Sequence, residues 1–444
     1  MFHTIKDIEK YLEKYIYNNK LSLAPGDASI LRTKELLRLL GSPQNKLRVI
    51  HTAGTSGKGS TSFMISSFLI AHGFKVGLHL SPHLLDIRER TEINNEFIKE
   101  KKYIAYFEEI VPFVEKMRDT SFGKLTYFEL MVAFVFYVFA KEKVDYAVIE
   151  VGMGGQFDGT NVVNRVDKLA IISKIGFDHV KALGNTLAKI AHHKGMICPE
   201  KGDMISIHQT SSVEKELKKI AQHKKAKLYF VKKTSVKNIS VKQGKTLFTF
   251  EWRNKIYKKL CIGLLGFHQA QNAALALTAF FHLASRDHFA VDIQTVRTTS
   301  ENLRFRGRMD SLSQNNRMIL LDGAHNVQKM KALLKTVKKI YPNKKFTFVI
   351  AFKHGKEYMK MVRLMIPFAH KIIATTIFSD NPDFGYLSTQ TEEIRSALKL
   401  SGYNNVLTAK TKKEVIQLIN KEDGDIIATG SLYLISDLYL LLNI

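Results

Sequence analysis

A glycine-rich loop lies between an apolar run and a helical pattern, and this arrangement constrains the fold of the chain more than any other feature. Residues Leu47 to Thr52 predict a strand, and Thr61 to His72 predict a helix that Gly73 ends. Between them stand Gly54, Thr55, Ser56, Gly57, Lys58, Gly59 and Ser60. Glycines let the backbone fold tightly around an anion that the helix N-terminus and the Lys58 ammonium face. The natural ligand of such a loop is a nucleoside triphosphate.

The loop departs from the standard phosphate-loop pattern at two positions. Thr52 stands where the first glycine is usual, and Gly59 separates Lys58 from Ser60. A string of glycine, lysine and serine also occurs by chance in flexible loops. Here the strand before it and the helix after it favour a phosphate loop.

From Leu47 onward, short apolar runs alternate with helical patterns, as a parallel α/β sheet requires. The predicted strands are Leu47 to Thr52, Val76 to Leu80, Tyr146 to Val151 and Leu169 to Ser173. From Leu228 to Tyr257 the pattern changes to brief alternating strands, with Gln243-Gly244 as a turn. We expect a large, mostly parallel P-loop-type sheet with a small antiparallel appendage.

A second α/β region follows a helical segment from His268 to Ala284. The polar stretch from Thr298 to Asn302 lacks strong periodicity, so we place a domain boundary there, giving domains of residues 1–300 and 301–444. Four further strands are predicted, at Met318 to Leu321, Phe346 to Phe352, Lys371 to Thr375 and Asp425 to Thr429. The second domain should be a smaller, Rossmann-like α/β domain.

Composition points to a reducing compartment and away from the membrane. Cys198 and Cys261 are the only cysteines among 444 residues, too few for a disulfide framework. The first ten residues lack the apolar block of a signal peptide. The apolar run from Leu130 to Ala140 is too short to cross a bilayer and predicts a buried helix. We expect a cytoplasmic protein without a membrane segment.

The net charge of +26 could attract nucleic acid, an anionic membrane or small polyanionic substrates. The lysines are scattered along the chain instead of forming one block, which favours a general lysine-rich composition. Charge alone does not choose among these partners.

Polar residues end three of the predicted strands, where parallel sheets bind their ligands. Ser81 follows the second strand, Glu150 lies at the end of the third, and His179 follows the fourth. Together they could hold magnesium, and manganese would tolerate the histidine more readily. Each also has an ordinary reading, because Glu150 could pair with a buried arginine and His179 could be a loop histidine.

Two more loops follow strands. Gly152-Met-Gly-Gly155 comes directly after Glu150, which suits close approach to a ligand or a tight turn. Asp322-Gly-Ala-His-Asn326 follows a strand of the second domain, where Asp322 and His325 could reach a cleft between domains; Asn326 could instead cap a helix. His192 and His193 are expected to be solvated helix residues.

The motifs in this order resemble the folylpolyglutamate synthase/dihydrofolate synthase family of Mur ligases over nearly the whole chain. The matching stretches are Ala53-Gly-Thr-Ser-Gly-Lys-Gly-Ser-Thr61, Lys75-Val-Gly-Leu-His-Leu-Ser-Pro-His-Leu84, Thr126-Tyr-Phe-Glu129, Ile149-Glu-Val-Gly-Met-Gly-Gly155, Asp158-Gly-Thr-Asn-Val162, Ile175-Gly-Phe-Asp-His179, His268-Gln-Ala-Gln-Asn272, Gly307-Arg308, Leu321-Asp-Gly-Ala-His-Asn326 and Thr429-Gly-Ser-Leu-Tyr433.

The resemblance implies a role for each candidate residue. Gly54, Thr55 and Gly57 to Ser60 would bind ATP phosphates, and Asn272, Arg308 and Asp322 would complete the nucleotide site, with His325 beside them. Ser81, Glu150 and His179 would hold magnesium, with two ions expected. Lys194 falls where the family has a carbamylated lysine that helps bind the second metal, and Thr126 lies in a segment associated with the pterin substrate.

Several positions differ from the family's usual pattern. Ser56 replaces an asparagine, Gln156 stands where arginine is common, and Gly159 stands where alanine is common. The stretch Lys194-Gly-Met-Ile is also a variant of the usual Lys-Ala-Gly-Ile. These changes leave the ATP and metal assignments intact and bear on specificity at the pterin side.

The implied reaction joins L-glutamate to a reduced folate or dihydropteroate through an acyl phosphate made from ATP. We expect a monomeric enzyme without a nucleic-acid partner. One alternative is another Mur-type amino-acid ligase, such as a peptidoglycan ligase, whose loop usually lacks the extra glycine seen as Gly59. A different class is a nucleic-acid-binding P-loop ATPase, which predicts clustered cations with stacking aromatics. The sequence shows no such cluster.

Overall fold

The structure, a computed structural model, describes residues 1–16, 27–242, 244–314, 316–378 and 388–442. The chain divides into two compact units. The first unit comprises Met1–Asn238, Phe248–Cys261 and Ala270–Leu303. The second comprises Ile239–Leu247, Ile262–Gln269 and Arg304–Ile444.

The helices and strands up to residue 303 alternate over most of this length. In order they are α1 (Ile5–Glu13), α2 (Ala28–Leu39), β1 (Val49–Ala53), α3 (Lys58–Ala71), β2 (Val76–His79), β3 (Glu92–Ile93), β4 (Glu96–Phe97), α4 (Glu100–Lys116), α5 (Tyr127–Lys141), β5 (Tyr146–Glu150), β6 (Leu169–Ile172), α6 (Val180–Leu183), α7 (Leu187–Gly195), β7 (Asp203–Ile207), α8 (Ser211–His223), β8 (Lys227–Val231), β9 (Val236–Lys242), β10 (Lys245–Trp252), β11 (Lys255–Ile262), α9 (Phe267–Asp287) and α10 (Ile293–Asn302).

The remaining elements alternate in the same way. They are β12 (Asp310–Gln314), β13 (Arg317–Leu321), α11 (Val327–Ile340), β14 (Phe346–Ile350), α12 (Tyr358–Met365), β15 (Ala369–Thr375), α13 (Thr391–Leu400), β16 (Val406–Ala409), α14 (Lys412–Asn420), β17 (Ile426–Thr429) and α15 (Leu432–Leu441).

The first unit contains an eight-stranded sheet in the order β4-β3-β2-β5-β1-β6-β7-β8. From β2 to β8 neighbouring strands are parallel, and the short strands β3 and β4 pair antiparallel at one edge. Every residue of β1, β5 and β6 is buried, because helices cover both faces of a parallel sheet. The sheet therefore brings the carboxyl ends of β1, β5 and β6 side by side.

The apolar run from Leu130 to Ala140 lies within α5, as predicted, and most of its side chains are buried. Thr126 caps this helix: its hydroxyl accepts a hydrogen bond from the Glu129 N–H, and the Glu129 carboxylate accepts one from the Thr126 N–H. Within the described residues, no helix is long and apolar enough to span a membrane.

The antiparallel appendage is a three-stranded sheet in the order β11-β10-β9. The predicted start of this region at Leu228 was wrong, since Leu228 lies in β8, which pairs parallel with β7 in the large sheet. Local alternation of side chains does not reveal which sheet a strand joins. Of the predicted turn, Gly244 has a left-handed φ of 74°, whereas Gln243 lies outside the described residues.

The stretch Thr298 to Asn302, expected to be irregular, belongs to α10. The Asp292 side chain caps this helix by accepting hydrogen bonds from the N–H groups of Gln294 and Thr295. Strand β7 was also absent from the sequence prediction. Helix α10 was missed because it is polar and buries only Val296 and Ser300, so few apolar side chains mark it in the sequence.

The second sheet has six strands in the order β12-β13-β17-β14-β15-β16. Strand β12 pairs antiparallel with β13, and all other neighbours are parallel. The four predicted strands correspond to β13, β14, β15 and β17, whereas β12 and β16 were not predicted. The predicted fold class is confirmed. The division into functional domains at residue 300 stays a prediction.

Candidate active site

The loop between β1 and α3 requires glycine at two positions. Gly54 has φ 152°, and a Cβ there would lie 1.9 Å from the Ser173 hydroxyl oxygen. Gly57 has φ 91°, and its Cβ would lie 2.3 Å from Asn272 Oδ1. The helix begins at Lys58, three residues before the predicted start at Thr61, so the N-terminal N–H groups of α3 belong to the glycine-rich loop itself.

Backbone and side-chain hydrogen bonds fix the first half of this loop. The N–H groups of Thr55 and Ser56 both donate to the Lys174 carbonyl oxygen, at 2.9 and 3.1 Å. The Thr55 hydroxyl donates to the Gly176 carbonyl at 2.9 Å and accepts from the Gly176 N–H at 3.1 Å. The residues after β6 therefore hold the loop that follows β1. The arrangement leaves the start of α3 suited to binding an anion.

Lys58, Glu150 and Ser81 lie together beside this loop. The Lys58 ammonium is 3.5 Å from Glu150 Oε1, and their side chains are 17% and 8% exposed. The Ser81 N–H donates to Glu150 Oε2 at 3.2 Å. The suggestion that Glu150 pairs with a buried arginine was therefore wrong, because its cationic partner is Lys58. Glu150 ends β5 opposite Thr52 of β1, which explains why its carboxylate reaches the loop.

The donor set at Ser81 and Glu150 fits a magnesium ion. The Ser81 hydroxyl is buried and has no hydrogen-bond partner among the described residues. Hydroxyl and carboxylate oxygens are ligands that Mg²⁺ accepts. The two groups are neighbours through the hydrogen bond from the Ser81 N–H.

His179 lies immediately before α6 with a left-handed φ of 49°. Its N–H donates to Asp178 Oδ1 at 3.0 Å, and its Nε2 lies 3.8 Å from the same oxygen. The His179 side chain is 45% exposed, whereas that of Asp178 is 11% exposed. Sequence reasoning did not single out Asp178, although its position beside a proposed ligand in a loop after β6 is a usable indication.

A lysine on a helix is ordinarily a surface residue, but the Lys194 side chain is buried. Its ammonium donates to the Gly54 carbonyl at 2.9 Å. Burial and the nearby charge of Lys58 together lower the pKa of Lys194 to about 7, against the opposing effect of Asp178 and Asp158. Helix α7 thus places a readily deprotonated amine against the glycine-rich loop.

The loop after β5 packs tightly on the same helix. A Cβ at Gly155 would lie 2.7 Å from the His193 carbonyl oxygen and 3.2 Å from the Lys194 Cα. The Gln156 N–H donates to the His193 carbonyl at 2.7 Å. Close packing of this loop buries Lys194.

The neighbouring histidines of α7 are half-buried, and the His192 side chain remains 46% exposed. His192 Nδ1 lies 2.9 Å from Glu216 Oε1, and the His193 ring packs edge-on against Phe157. Packing of α7 against α8 and the loop after β5 covers only part of each ring.

Thr126 and Glu129 lie near Arg32 and the segment that carries Gly159. Arg32 donates two hydrogen bonds to Glu129, at 2.8 and 2.7 Å. A Cβ at Gly159 would lie 3.0 Å from the Thr33 hydroxyl and 3.8 Å from Glu129 Cγ. The capping bond gives Thr126 a structural role, and its contact with substrate stays a prediction.

In the second unit, Asp322 follows β13 and is buried. Its carboxylate accepts hydrogen bonds from the N–H groups of Met309 and Ala324, both at 2.9 Å. Burial raises the pKa of Asp322 to about 6, although the charge of Arg308 opposes the shift. The half-buried Arg308 guanidinium stacks over the Phe305 ring at 5.4 Å.

His325 and Asn326 follow in the same loop. His325 Nδ1 lies 2.9 Å from the Gly323 carbonyl oxygen, and its Nε2 lies 3.0 Å from the Lys329 ammonium. Asn326 caps α11 by accepting a hydrogen bond from the Lys329 N–H at 2.9 Å, so the capping interpretation is confirmed. The imidazole is positioned by its own loop.

Among the residues that the structure describes, no group of three or more histidine, cysteine, aspartate and glutamate side chains could hold a metal ion. The predicted set contains only two such side chains, Glu150 and His179, together with Ser81 and Lys194. The set therefore stays a prediction.

Family models match both parts of the chain. The Mur ligase middle domain matches residues 52–280, and the dihydrofolate synthetase C-terminal domain matches residues 304–442. With a phosphate-type loop at the centre of a parallel sheet, these matches define a ligase of the Mur type.

Full-length relatives specify the family within that class. The dihydrofolate synthase/folylpolyglutamate synthase of Bacillus subtilis is 31% identical over 443 residues, covering 99% of each chain. The chain therefore belongs to the folylpolyglutamate synthase/dihydrofolate synthase family. The folylpolyglutamate synthase of Lacticaseibacillus casei is 28% identical, covering 95% of this chain and 96% of that protein. A crystal structure of Mycobacterium tuberculosis folylpolyglutamate synthase complexed with ADP and AMPPCP has a TM-score of 0.87 at 25% identity, covering 99% and 98% of the two chains.

Proposed function

We propose that this protein is an ATP-dependent ligase that adds L-glutamate to the carboxylate of a reduced folate or of dihydropteroate. The observation that carries the proposal is the group formed by Lys58, Glu150 and Ser81 beside the glycine-rich loop. It combines a cation for a phosphate with oxygen ligands for a metal. The names of the relatives supply the acceptor, since they include both folylpolyglutamate and dihydrofolate synthases.

Nucleotide binding is proposed for the glycine-rich loop and for several further residues. The start of α3, with Gly54, Thr55 and Gly57 to Ser60, would cradle the phosphates, and Asn272 would bind the nucleotide. In the second unit, Arg308 and Asp322 are proposed as nucleotide contacts and His325 as a catalytic group. The relative solved with ADP and AMPPCP supports an adenine nucleotide as ligand.

Ser81 and Glu150 would hold one magnesium ion, with His179 as a further ligand. Lys194 would bind a second ion through a carbamate, formed when its neutral amine reacts with carbon dioxide. A pKa near 7 makes part of this amine neutral at pH 7. Bound metal ions would neutralise charge on the phosphates, and manganese would substitute for magnesium.

The acceptor carboxylate attacks the γ-phosphorus of ATP, forming an acyl phosphate and releasing ADP. Lys58 and Arg308 stabilise the charge on the transferring group. The glutamate amine then attacks the acyl carbon and phosphate leaves with the former carboxylate oxygen. The attacking amine releases one proton to solvent, and the resulting amide nitrogen keeps one N–H. Thr126 is proposed to contact the pterin.

The similarity to known proteins favours this reaction over the two alternatives. A peptidoglycan ligase is not favoured, because the full-length relatives act in folate metabolism by name. A nucleic-acid ATPase is not favoured either, because the family match accounts for the loop. We further propose a cytoplasmic monomer with an ATP-binding domain of residues 1–300 and a C-terminal domain of residues 301–444.

The test is ADP release measured with single omissions. We expect turnover with ATP, Mg²⁺, an acceptor and L-glutamate, and loss of net turnover when the acceptor is left out. DNA and RNA should not replace the acceptor. Failure of every reduced folate and of dihydropteroate to support glutamate incorporation would overturn the substrate assignment.

A further inference from the structure

Gln209 lies outside every motif that the family resemblance uses, yet its side chain touches the backbone that holds the glycine-rich loop. It stands in the short connection between β7 and α8 and is half-buried. Its own N–H donates to Glu214 Oε1 at 3.1 Å, and the preceding His208 N–H donates to the Val231 carbonyl at 3.0 Å. The connection that carries Gln209 is therefore fixed at both ends.

The Gln209 carboxamide forms two hydrogen bonds with the backbone just after β6. Its Nε2 donates to the Ser173 carbonyl at 2.9 Å, and its Oε1 accepts from the Ile175 N–H at 3.2 Å. Ser173 and Ile175 flank Lys174. In an extended segment, alternate residues direct their backbone polar groups to opposite sides. The carboxamide thus completes one side of this segment, as a neighbouring strand would.

The other side of the same segment holds the glycine-rich loop. The Lys174 carbonyl accepts the N–H groups of both Thr55 and Ser56. The Gln209 carboxamide and the glycine-rich loop therefore form hydrogen bonds with opposite sides of the segment from Ser173 to Ile175. A shift of Lys174 would move the carbonyl that orients the two loop amides.

We infer that Gln209 is a positioning residue for nucleotide binding, acting through the Ser173 to Ile175 segment on the glycine-rich loop. The inference rests on the proposed function for the role of that loop. It gives the connection after β7 a part in the reaction, although Gln209 itself touches neither the loop nor the nucleotide. A purely structural glutamine would affect global stability without a selective effect on the Thr55 and Ser56 amides.

The variant Gln209→Met keeps the side-chain length and removes the two hydrogen bonds to Ser173 and Ile175, together with a longer one from Nε2 to the Ser206 hydroxyl at 3.4 Å. We expect faster hydrogen exchange at the Thr55 and Ser56 amides and about tenfold weaker ADP binding, the size expected from losing two neutral hydrogen bonds. Gln209→Glu keeps the acceptor for Ile175 and loses the donor to Ser173. It gives a second measurement if the methionine variant does not fold.

The matched control is Tyr146→Phe, which removes one hydrogen bond to Asp287 at the opposite end of β5 in the same unit. It should lower stability and leave both the exchange of the loop amides and the ADP affinity unchanged. Wild-type exchange at Thr55 and Ser56 in a folded Gln209 variant would overturn the inference. A wild-type protein that fails to bind ADP would instead overturn the proposed function, while the exchange measurement still decides the contact pathway.

Discussion

Lys58 is the side chain whose charge the proposed reaction uses most directly. It begins α3 and pairs with Glu150 at 3.5 Å without being part of the apolar core. We expect Lys58→Ala to lower kcat on the order of a hundredfold, because one preorganised charge facing the transferring phosphoryl group is lost. The melting temperature should change little. Lys75→Ala, which removes a lysine that pairs with Glu142, is the control and should keep normal kcat; normal turnover of Lys58→Ala at saturating ATP would contradict the assignment.

Lys194 offers a second residue-level prediction. If its carbamate binds a metal ion, Lys194→Ala should still bind ADP but turn over slowly, and acetate should restore part of the activity by supplying a carboxylate. Acetate should not stimulate Lys58→Ala, because that variant lacks a phosphate-binding charge. Steady-state rates with and without acetate test the idea. Normal turnover of Lys194→Ala would remove the carbamate role.

The sequence predicts which residues belong to the candidate site better than it predicts the surroundings of each residue. The loop from Gly54 to Ser60 could be recognised because its chemistry is local in sequence. The burial of Lys194 could not, since it depends on the tight contact of Gly155 with α7, which only the folded chain creates. Gln209 was missed for the same reason, because its function lies in hydrogen bonds to residues of another connection.

The turn before β12 is fixed by hydrogen bonds to a side chain of α15. The Tyr439 hydroxyl of α15 accepts a hydrogen bond from the Gly307 N–H at 3.1 Å and donates to Asp310. This turn carries Arg308. We expect Tyr439→Phe to lower kcat about tenfold, because the turn loses an anchor worth roughly one to two hydrogen bonds.

Tyr341→Phe is the control for that experiment. It removes a hydroxyl that donates to the Met318 sulfur in the same unit, and it should leave kcat unchanged. Both variants are compared by steady-state kinetics and thermal unfolding. Equal kcat values for wild type and Tyr439→Phe would show that the turn does not depend on the tyrosine.

Glu142, at the end of α5, ties this helix to its neighbours. Its carboxylate accepts hydrogen bonds from Lys102 at 2.5 Å, Lys75 at 2.9 Å and Tyr106 at 2.8 Å. Burial alone would raise the pKa of Glu142, but these partners outweigh it and lower the pKa to about 2. The stabilisation is therefore present above the ordinary carboxyl pKa of 4.5 and is lost as pH falls through about 2.

Glu142→Gln should lower the free energy of unfolding by about 2 kcal/mol at neutral pH. The difference from wild type should shrink as the pH is lowered from 4.5 towards 2, measured by denaturant unfolding. Glu357→Gln removes one partner of an exposed pair with Lys360 and should have little effect at any pH. A difference for Glu142→Gln that stays constant with pH would contradict the electrostatic account.

Element type could be predicted where an apolar run of suitable length marks the element, as in α5 and β1. Strand pairing could not be predicted in every case, because β8 and β9 are close in sequence and join different sheets. Helix α10 was missed because it presents few apolar side chains, and its capping residue Asp292 was the local indication that sequence reasoning left unused.

At the scale of the whole molecule, the net charge of +26 suits the proposed substrates, since ATP, folates and glutamate are all anionic. The same charge fits other polyanions equally well. The family match over the full chain decides between them, because it joins the glycine-rich loop and the second α/β region in one type of ligase. The central claim is therefore chemical: an acceptor carboxylate is activated by ATP and captured by glutamate.

Oxygen transfer tests this claim most directly. The protein is incubated with ATP, Mg²⁺, L-glutamate and an acceptor whose carboxylate is labelled with heavy oxygen, and both products are analysed by mass spectrometry. We predict that each turnover gives an acceptor extended by one glutamyl residue and an inorganic phosphate that carries one labelled oxygen. Unlabelled phosphate, or ATP hydrolysis with no extended acceptor, would contradict the account.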